Sequence, residues 1–151
     1  VADADVVVDA TDNFPTRYLL NDACGLAETP LVNGAVYKFE GQATTIVPDG
    51  PCYRCLFPEA PDPGTVPDCA TTGVLGALPG TIGCMQATEV VKLLAGIGEP
   101  LVGTLLSYDA MELAVERVPY QQSADCPVCG EAGIESVGEV EYSEGCRVSS
   151  K

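Results

Sequence analysis

Apolar and polar positions follow both strand-like and helical periods along the chain, which predicts a mixed α/β domain. The first segment, Asp5–Asp9, places three β-branched residues between two acids, as expected for a buried parallel strand. Residues 11–13 can cap a helix and Pro15 suits a first turn, so a helix is predicted over residues 15–27. The chain therefore opens with a strand followed by a helix.

Further elements follow the same reasoning. Residues 30–37, 39–47, 101–108 and 111–118 are rich in Val, Ile, Thr and aromatic residues and are predicted strands. Residues 71–96 recover helical spacing and are predicted to form a core helix. Its predicted buried face consists of Cys84, Ala87, Val91 and Leu94.

Two segments interrupt this pattern. Residues 48–67 contain six prolines, which predicts a long, stiff connection without a regular helix or central strand. After the Cys126–Gly130 segment, a Gly-, Ser- and Glu-rich end begins. We therefore predict one domain over residues 1–130 and an acidic, disordered tail over residues 131–151.

Composition narrows the class of protein. No apolar run approaches the roughly 20 residues that span a bilayer, so no membrane association is expected. The chain opens at Val1 without a signal core, which predicts a cytoplasmic protein and a piece cut from a longer chain. The net charge of −15 disfavours nucleic acid as a partner. This charge indicates either a salt-loving organism or an ordinary acidic protein.

The cysteines are the main candidates for chemistry, because the sequence contains no histidine. Cys52 and Cys55 form one CxxC pair, and Cys126 and Cys129 form another. Two such turns can wrap one tetrahedral ion, which predicts a closed structural zinc site. Two disulfides or a redox pair are the alternatives, although a redox CxxC favours a helix start.

The other cysteines differ in context. Cys24 and Cys84 lie in apolar helical segments and are predicted to pack in the core. Cys69 lies in a loop just before a predicted helix, where the helix dipole favours a thiolate, although the neighbouring Asp68 opposes this effect. Cys69 is therefore either a nucleophile or an incidental loop cysteine.

The order of these motifs resembles the ThiF/MoeB/HesA family, and within it the archaeal enzymes that activate small modifier proteins. The resemblance covers residues 5–130, and its motifs are far more specific together than alone. They are residues 6–14, Arg17, Asn21, residues 32–35, residues 40–42, the two CxxC pairs and residues 80–94.

The resemblance implies a reaction. In the family, the carboxyl-terminal glycine of a ubiquitin-like or sulfur-carrier protein attacks the α-phosphate of ATP, with Mg²⁺ bound, and gives an acyl-adenylate. It implies that Asp12, Asn13 and Arg17 lie at the nucleotide and that Cys69 takes the acyl group as a thioester. From its position alone, Asp12 is better interpreted as a simple helix cap, and only the resemblance favours the nucleotide. A homodimer, and an outcome in protein modification, tRNA thiolation or molybdopterin synthesis, are further implications.

The chain also departs from the family pattern. The glycine-rich nucleotide loop, the arginine finger and the ATP-binding lysine of the family lie upstream of this region, and no GxGxxG occurs here. The expected fold is thus the carboxyl-terminal half of a Rossmann-like domain, and the chain alone is expected to be inactive. The alternative function is a zinc-stabilised scaffold that binds a carrier protein or dimerises without catalysis.

Overall fold

The computed structural model describes residues 1–62, 65, 72–142 and 147–148, and its main element is a five-stranded mixed sheet. The strands lie in chain order, and β1 and β2 are parallel whereas the other neighbours are antiparallel. This confirms the predicted mixed α/β fold. The strands are β1 (Val7–Asp9), β2 (Leu31–Tyr37), β3 (Glu40–Ile46), β4 (Thr104–Asp109) and β5 (Ala114–Pro119).

Helix α1 (Phe14–Leu26) forms the crossover between the two parallel strands. Asn13 caps it, since its side-chain oxygen accepts a hydrogen bond from the Thr16 N–H at 2.9 Å. Pro15 lies in the first turn, where a missing N–H costs nothing. The capping signals in the sequence therefore located this helix within one residue at each end.

The proline-rich segment contains a helix that the sequence did not predict. Helix α2 (Tyr53–Leu56) is one turn long and begins directly after Cys52. Pro51 and Pro58 lie outside it, so neither ring blocks its hydrogen bonds. The prediction that this segment holds no helix was wrong for this single turn.

Helix α3 (Leu78–Ala95) packs on the sheet with a different face from the predicted one. The predicted core stripe is exposed, with Val91 55% and Leu94 62% accessible and Cys84 at the surface. The helix is apolar on both sides, so hydrophobic spacing could not identify the buried side. The buried residues are Leu78, Ile82, Gln86 and Glu89.

The core lies between α1, the sheet and the cysteines, with Tyr18, Leu31, Ile46 and Tyr53 at its centre. Cys24 is buried here, which confirms its predicted packing role. No helix in the described part of the chain is both long and apolar enough to cross a bilayer.

Part of the predicted tail returns to this core. A 3₁₀ helix (Val137–Glu139) leads into β6 (Val140–Glu141), which pairs with β7 (Arg147–Val148). Val140 is only 7% exposed, and Tyr142 donates a hydrogen bond to Asp22 at 2.7 Å. The structure thus differs from the predicted disorder at residues 134–142, because a few apolar side chains in a polar segment suffice to anchor it.

Candidate metal centre and the loop after the first strand

The four predicted ligands come together in the structure. The Sγ atoms of Cys52, Cys55, Cys126 and Cys129 all lie within 4.8 Å of one another. Four of the Sγ–Sγ distances are 3.9 Å (52–55), 3.5 Å (52–126), 3.3 Å (55–129) and 3.5 Å (52–129). The cysteines are thiols and not disulfides. The two CxxC turns therefore meet, as the sequence predicted, although Cys52 and Cys126 are 74 positions apart in the chain.

These distances fit a tetrahedral ion. Zn–S bonds of about 2.3 Å give sulfur–sulfur edges of about 3.8 Å in a regular tetrahedron. Three of the four distances, 3.3–3.5 Å, lie below that value, and the fourth, 3.9 Å, lies just above it. Four sulfur donors without a place for water are typical of structural zinc sites and exclude the open position that a catalytic zinc needs.

Local backbone geometry shapes both turns. The Cys55 N–H donates to the Cys52 carbonyl at 3.1 Å, and the Gly130 N–H donates to the Cys126 carbonyl at 3.0 Å. A Cβ atom at Gly130 would collide with the backbone of Ala124 and Cys126, so the second turn requires glycine. The Ser123 N–H also points to the Cys55 sulfur at 3.5 Å.

The electrostatics of the cluster favour a bound cation. Hydrogen bonding with Cys52, together with the backbone N–H groups of Val128 and Cys129, lowers the pKa of Cys126 to about 5. Hydrogen bonding with Cys126 and burial raise the pKa of Cys52 far above its usual range, and burial raises that of Cys129 to about 11. Four thiolates this close together would repel one another. A divalent ion at the centre would offset that repulsion and allow every sulfur to be a thiolate.

A buried ion pair holds the first cysteine turn against α1. Arg54 lies between the two cysteines of that turn, and its Nε and Nη2 atoms donate to the two Asp22 carboxylate oxygens at 2.8 and 2.7 Å. Asn21 and Tyr142 also donate to Asp22, and the guanidinium lies 4.6 Å from the Tyr18 ring centre. Side-chain exposure of the pair is 1% and 0%. The turn is therefore fixed to the domain by a fully desolvated contact.

A second polar cluster lies at the carboxyl end of β1. We call Asp9, Arg17, Asn33 and Gln86 the β1 clamp; all four side chains are buried. Asn33 donates to Asp9 Oδ2 at 2.7 Å, and Gln86 donates to the Asp9 carbonyl at 2.7 Å. A Cβ at position 34 would overlap the Gln86 amide, so glycine there lets Gln86 reach the Asp9 carbonyl without displacement. This cluster was not predicted from the sequence, where its only signal is the presence of polar residues in strands that are otherwise apolar.

The residues implied at the nucleotide lie around this clamp. Asp12 is exposed in the loop between β1 and α1, and Asn13 is the cap of α1. Arg17 is 8% exposed and is directed inwards: its Nη2 donates to the Thr11 carbonyl at 2.7 Å, and its Nε lies 3.4 Å from Asp9 Oδ2. The predicted nucleophile Cys69 lies outside the described residues.

Comparison with known proteins decides the family. The ThiF family profile matches residues 1–128. The chain belongs to the ThiF family. It is 69% identical over 149 residues to the SAMP-activating enzyme E1 of Haloferax volcanii, a match that covers 99% of this chain and 55% of that relative.

Two further relatives carry related names. The sulfur carrier protein adenylyltransferase of Thermus thermophilus is 52% identical over 133 residues, covering 84% of this ThiF-family chain and 49% of the relative. The mouse adenylyltransferase and sulfurtransferase MOCS3 is 51% identical, covering 84% of this chain and 28% of that protein. The chain thus spans about half the length, or less, of these curated relatives.

Solved structures agree on the fold. Escherichia coli MccB matches with a TM-score of 0.68 at 20% identity, covering 85% of this chain and 40% of MccB. The structure of MccB with ATP gives a TM-score of 0.67 at 20% identity, covering 84% and 39%. These matches confirm the Rossmann-like half-domain that the resemblance implied.

Proposed function

We propose that this chain is the carboxyl-terminal half of an enzyme that adenylates the terminal glycine of a ubiquitin-like or sulfur-carrier protein with ATP. The observation that carries the proposal is a ThiF-family fold 69% identical to a SAMP-activating enzyme over nearly the whole chain. The second relative, an adenylyltransferase named for sulfur carriers, supports the same reaction class. The nucleotide loop would come from the part of those relatives that this chain does not span.

Asp12 is the proposed link to the nucleotide. It lies at the carboxyl end of a parallel strand, where α/β sheets bind their ligands, and its carboxylate is exposed. Carboxylate oxygens are preferred ligands of Mg²⁺, which usually keeps several waters and bridges to phosphate. Asp12 would thus hold the Mg²⁺ that accompanies ATP, and Asn13 would fix the start of α1 beside it.

The four-cysteine cluster would hold structural zinc. Its role would be to join the proline-rich segment to the end of the domain, since each turn supplies two of the four sulfurs. Binding of zinc to such a closed site contributes directly to folding free energy. We assign it no part in the chemical step.

Cys69 is the proposed acceptor of the acyl group. Its thiolate would attack the carbonyl carbon of the acyl-adenylate; a C–S bond forms, the C–O bond to phosphate breaks, and AMP leaves. Cys69→Ala should abolish a thiol-sensitive carrier adduct while ATP–pyrophosphate exchange continues. Cys84→Ala, which removes an exposed cysteine on α3, is the control and should keep the adduct. An adduct that persists in Cys69→Ala would contradict this step.

Carrier-dependent ATP–pyrophosphate exchange tests the proposed function. The assay uses the protein expressed from its complete open reading frame, with purified carrier proteins that end in glycine. Asp12→Ala should abolish exchange, whereas Asp3→Ala, an exposed aspartate before β1, should leave it intact. Carrier binding without any exchange in the unmodified protein would instead support the non-catalytic scaffold. Homodimerisation remains a prediction, which light scattering on the same preparation would check.

A further inference from the structure

Thr11 lies in a short loop, yet each of its polar atoms forms a hydrogen bond. Its N–H and its hydroxyl both donate to Asp9 Oδ1, at 2.8 and 2.7 Å. Its carbonyl accepts from Arg17 Nη2 at 2.7 Å. A loop residue with three such bonds to buried partners has a single backbone position, and the next residue is the exposed Asp12.

The partners of Thr11 are in turn fixed from the sheet and from α3. The second Asp9 oxygen accepts from Asn33 on β2, and the Asp9 carbonyl accepts from Gln86 on α3. Arg17 also approaches the Gly34 carbonyl at 3.4 Å. The β1 clamp thereby connects four elements, β1, α1, β2 and α3, to one loop.

This cluster is costly as a means of packing. Burying a carboxylate, a guanidinium and two amides requires that each finds partners, and apolar side chains of similar volume would avoid that cost. The hydrogen bonds of the clamp converge on the strand end and on Thr11 rather than on the hydrophobic core. Such a network serves to hold a neighbouring group in a defined place.

We infer that Asp9 and Arg17 are positioning residues, which orient the Thr11–Asp12 loop so that Asp12 meets the nucleotide-bound metal, and that Arg17 does not itself bind the nucleotide. This inference rests on the proposed function. It gives Arg17 a different role from the ligand role that the family resemblance implied. The side chain of Arg17 is 10% exposed, and its described contacts run to Thr11, Gly34, Asp9 and the Tyr53 hydroxyl. Its Nε pairs with Asp9 by charge at 3.4 Å without forming a hydrogen bond.

Metal binding and nucleotide binding can be measured separately. The protein from the complete open reading frame is mixed with a non-hydrolysable ATP analogue, and Mn²⁺ binding is followed by the EPR signal of free Mn²⁺. Affinity for the same analogue in EDTA gives the metal-free value. The variants are Asp9→Asn and Arg17→Lys. Lysine keeps the positive charge but lacks the planar guanidinium group that contacts two partners at once.

We expect both variants to weaken Mn²⁺ binding by about tenfold or more and to leave the metal-free affinity unchanged. Thr44→Val is the control for general destabilisation, because it removes a buried hydroxyl bonded to Leu101, Thr104 and Tyr120 elsewhere in the sheet. It should leave both affinities unchanged. A loss of metal-free affinity in Arg17→Lys would show direct nucleotide contact and overturn the inference, as would unchanged Mn²⁺ binding.

A third variant separates this inference from the proposed function. Asp12→Ala must lose Mn²⁺ binding if Asp12 is a metal ligand; if it does not, the proposed role of Asp12 fails. The positioning role of the β1 clamp is then tested by NMR of the Thr11 amide, whose proton is shifted downfield by its charged acceptor, the Asp9 carboxylate. That resonance must move upfield in Asp9→Asn for the inference to stand, and an unmoved resonance overturns it.

Discussion

The ion pair between Asp22 and Arg54 offers the sharpest test of how the first cysteine turn is held. Asp22→Leu would leave the guanidinium of Arg54 buried without its carboxylate, since the side chains are 0% and 1% exposed. Removing one partner of such a pair costs about 3–5 kcal/mol. Because domains of this size are stable by only about 5–15 kcal/mol, the loss should be obvious.

The double variant makes the prediction specific. Asp22→Leu with Arg54→Met replaces the pair by apolar side chains, which removes the unpaired charge. The remaining cost is the loss of partners for Asn21 and Tyr142, about 1 kcal/mol for each hydrogen bond. The double variant should therefore be at least about 1–2 kcal/mol more stable than Asp22→Leu alone.

Urea unfolding followed by far-UV circular dichroism measures these differences, with zinc in excess in every sample. The four proteins form a double-mutant cycle, and Asp3→Asn at the surface is the control, expected within about 0.5 kcal/mol of the unmodified protein. Strictly additive losses, or a change below about 1 kcal/mol for Asp22→Leu, would refute the reasoning that the pair is desolvated and coupled.

Three further predictions concern the second turn, one buried acid and the surface charge. Gly130→Ala should destabilise the zinc-bound protein by about 1–3 kcal/mol in urea unfolding, because its Cβ meets backbone atoms, whereas Gly83→Ala, open to solvent on α3, should stabilise it. Burial acts to raise the pKa of Glu89, but hydrogen bonds from Lys92, Leu101 and Thr45 outweigh it and lower the pKa below 4.5. The stabilisation is therefore present above pH 4.5 and lost below it, so the stability difference from Glu89→Gln should shrink as pH falls through that range. Molar KCl should raise the thermal unfolding temperature, since the net charge is −15.

A specific result would contradict each of these three predictions. Equal effects of the two glycine substitutions would remove the steric argument at Gly130. A constant difference between Glu89→Gln and the unmodified protein from pH 6 to about pH 3 would show that the folded pKa is not lowered. An unfolding temperature that falls as KCl rises would contradict the salt-loving interpretation.

The features that the sequence predicted well are those with local causes. Helix α1 follows from its cap at Asn13 and its early proline, and the cysteine cluster follows from two CxxC turns. Both patterns involve only a few neighbouring residues, so they can be recognised without knowledge of the fold. The strand pairs likewise follow from β-branched and aromatic residues between turns.

The features that it did not predict depend on long-range contacts. The buried face of α3 contains Gln86 and Glu89, which a hydrophobic-spacing pattern counts as polar. Gln86 donates to the Asp9 carbonyl on β1, and Glu89 accepts from the Leu101 N–H ahead of β4. The clamp at Asp9 joins residues separated by up to 77 positions. Tyr142 reaches Asp22 across 120 residues, which made an anchored tail resemble a disordered one. Such contacts exist only once the fold brings the partners together.

Zinc K-edge X-ray absorption of the purified, reduced protein is the most direct test of the claim that four cysteines hold one structural ion. We expect one zinc per chain, with four sulfur neighbours at about 2.3 Å and no oxygen or nitrogen bound to the metal. Protein that folds without bound zinc, or zinc bound by fewer than four sulfurs, would contradict that claim.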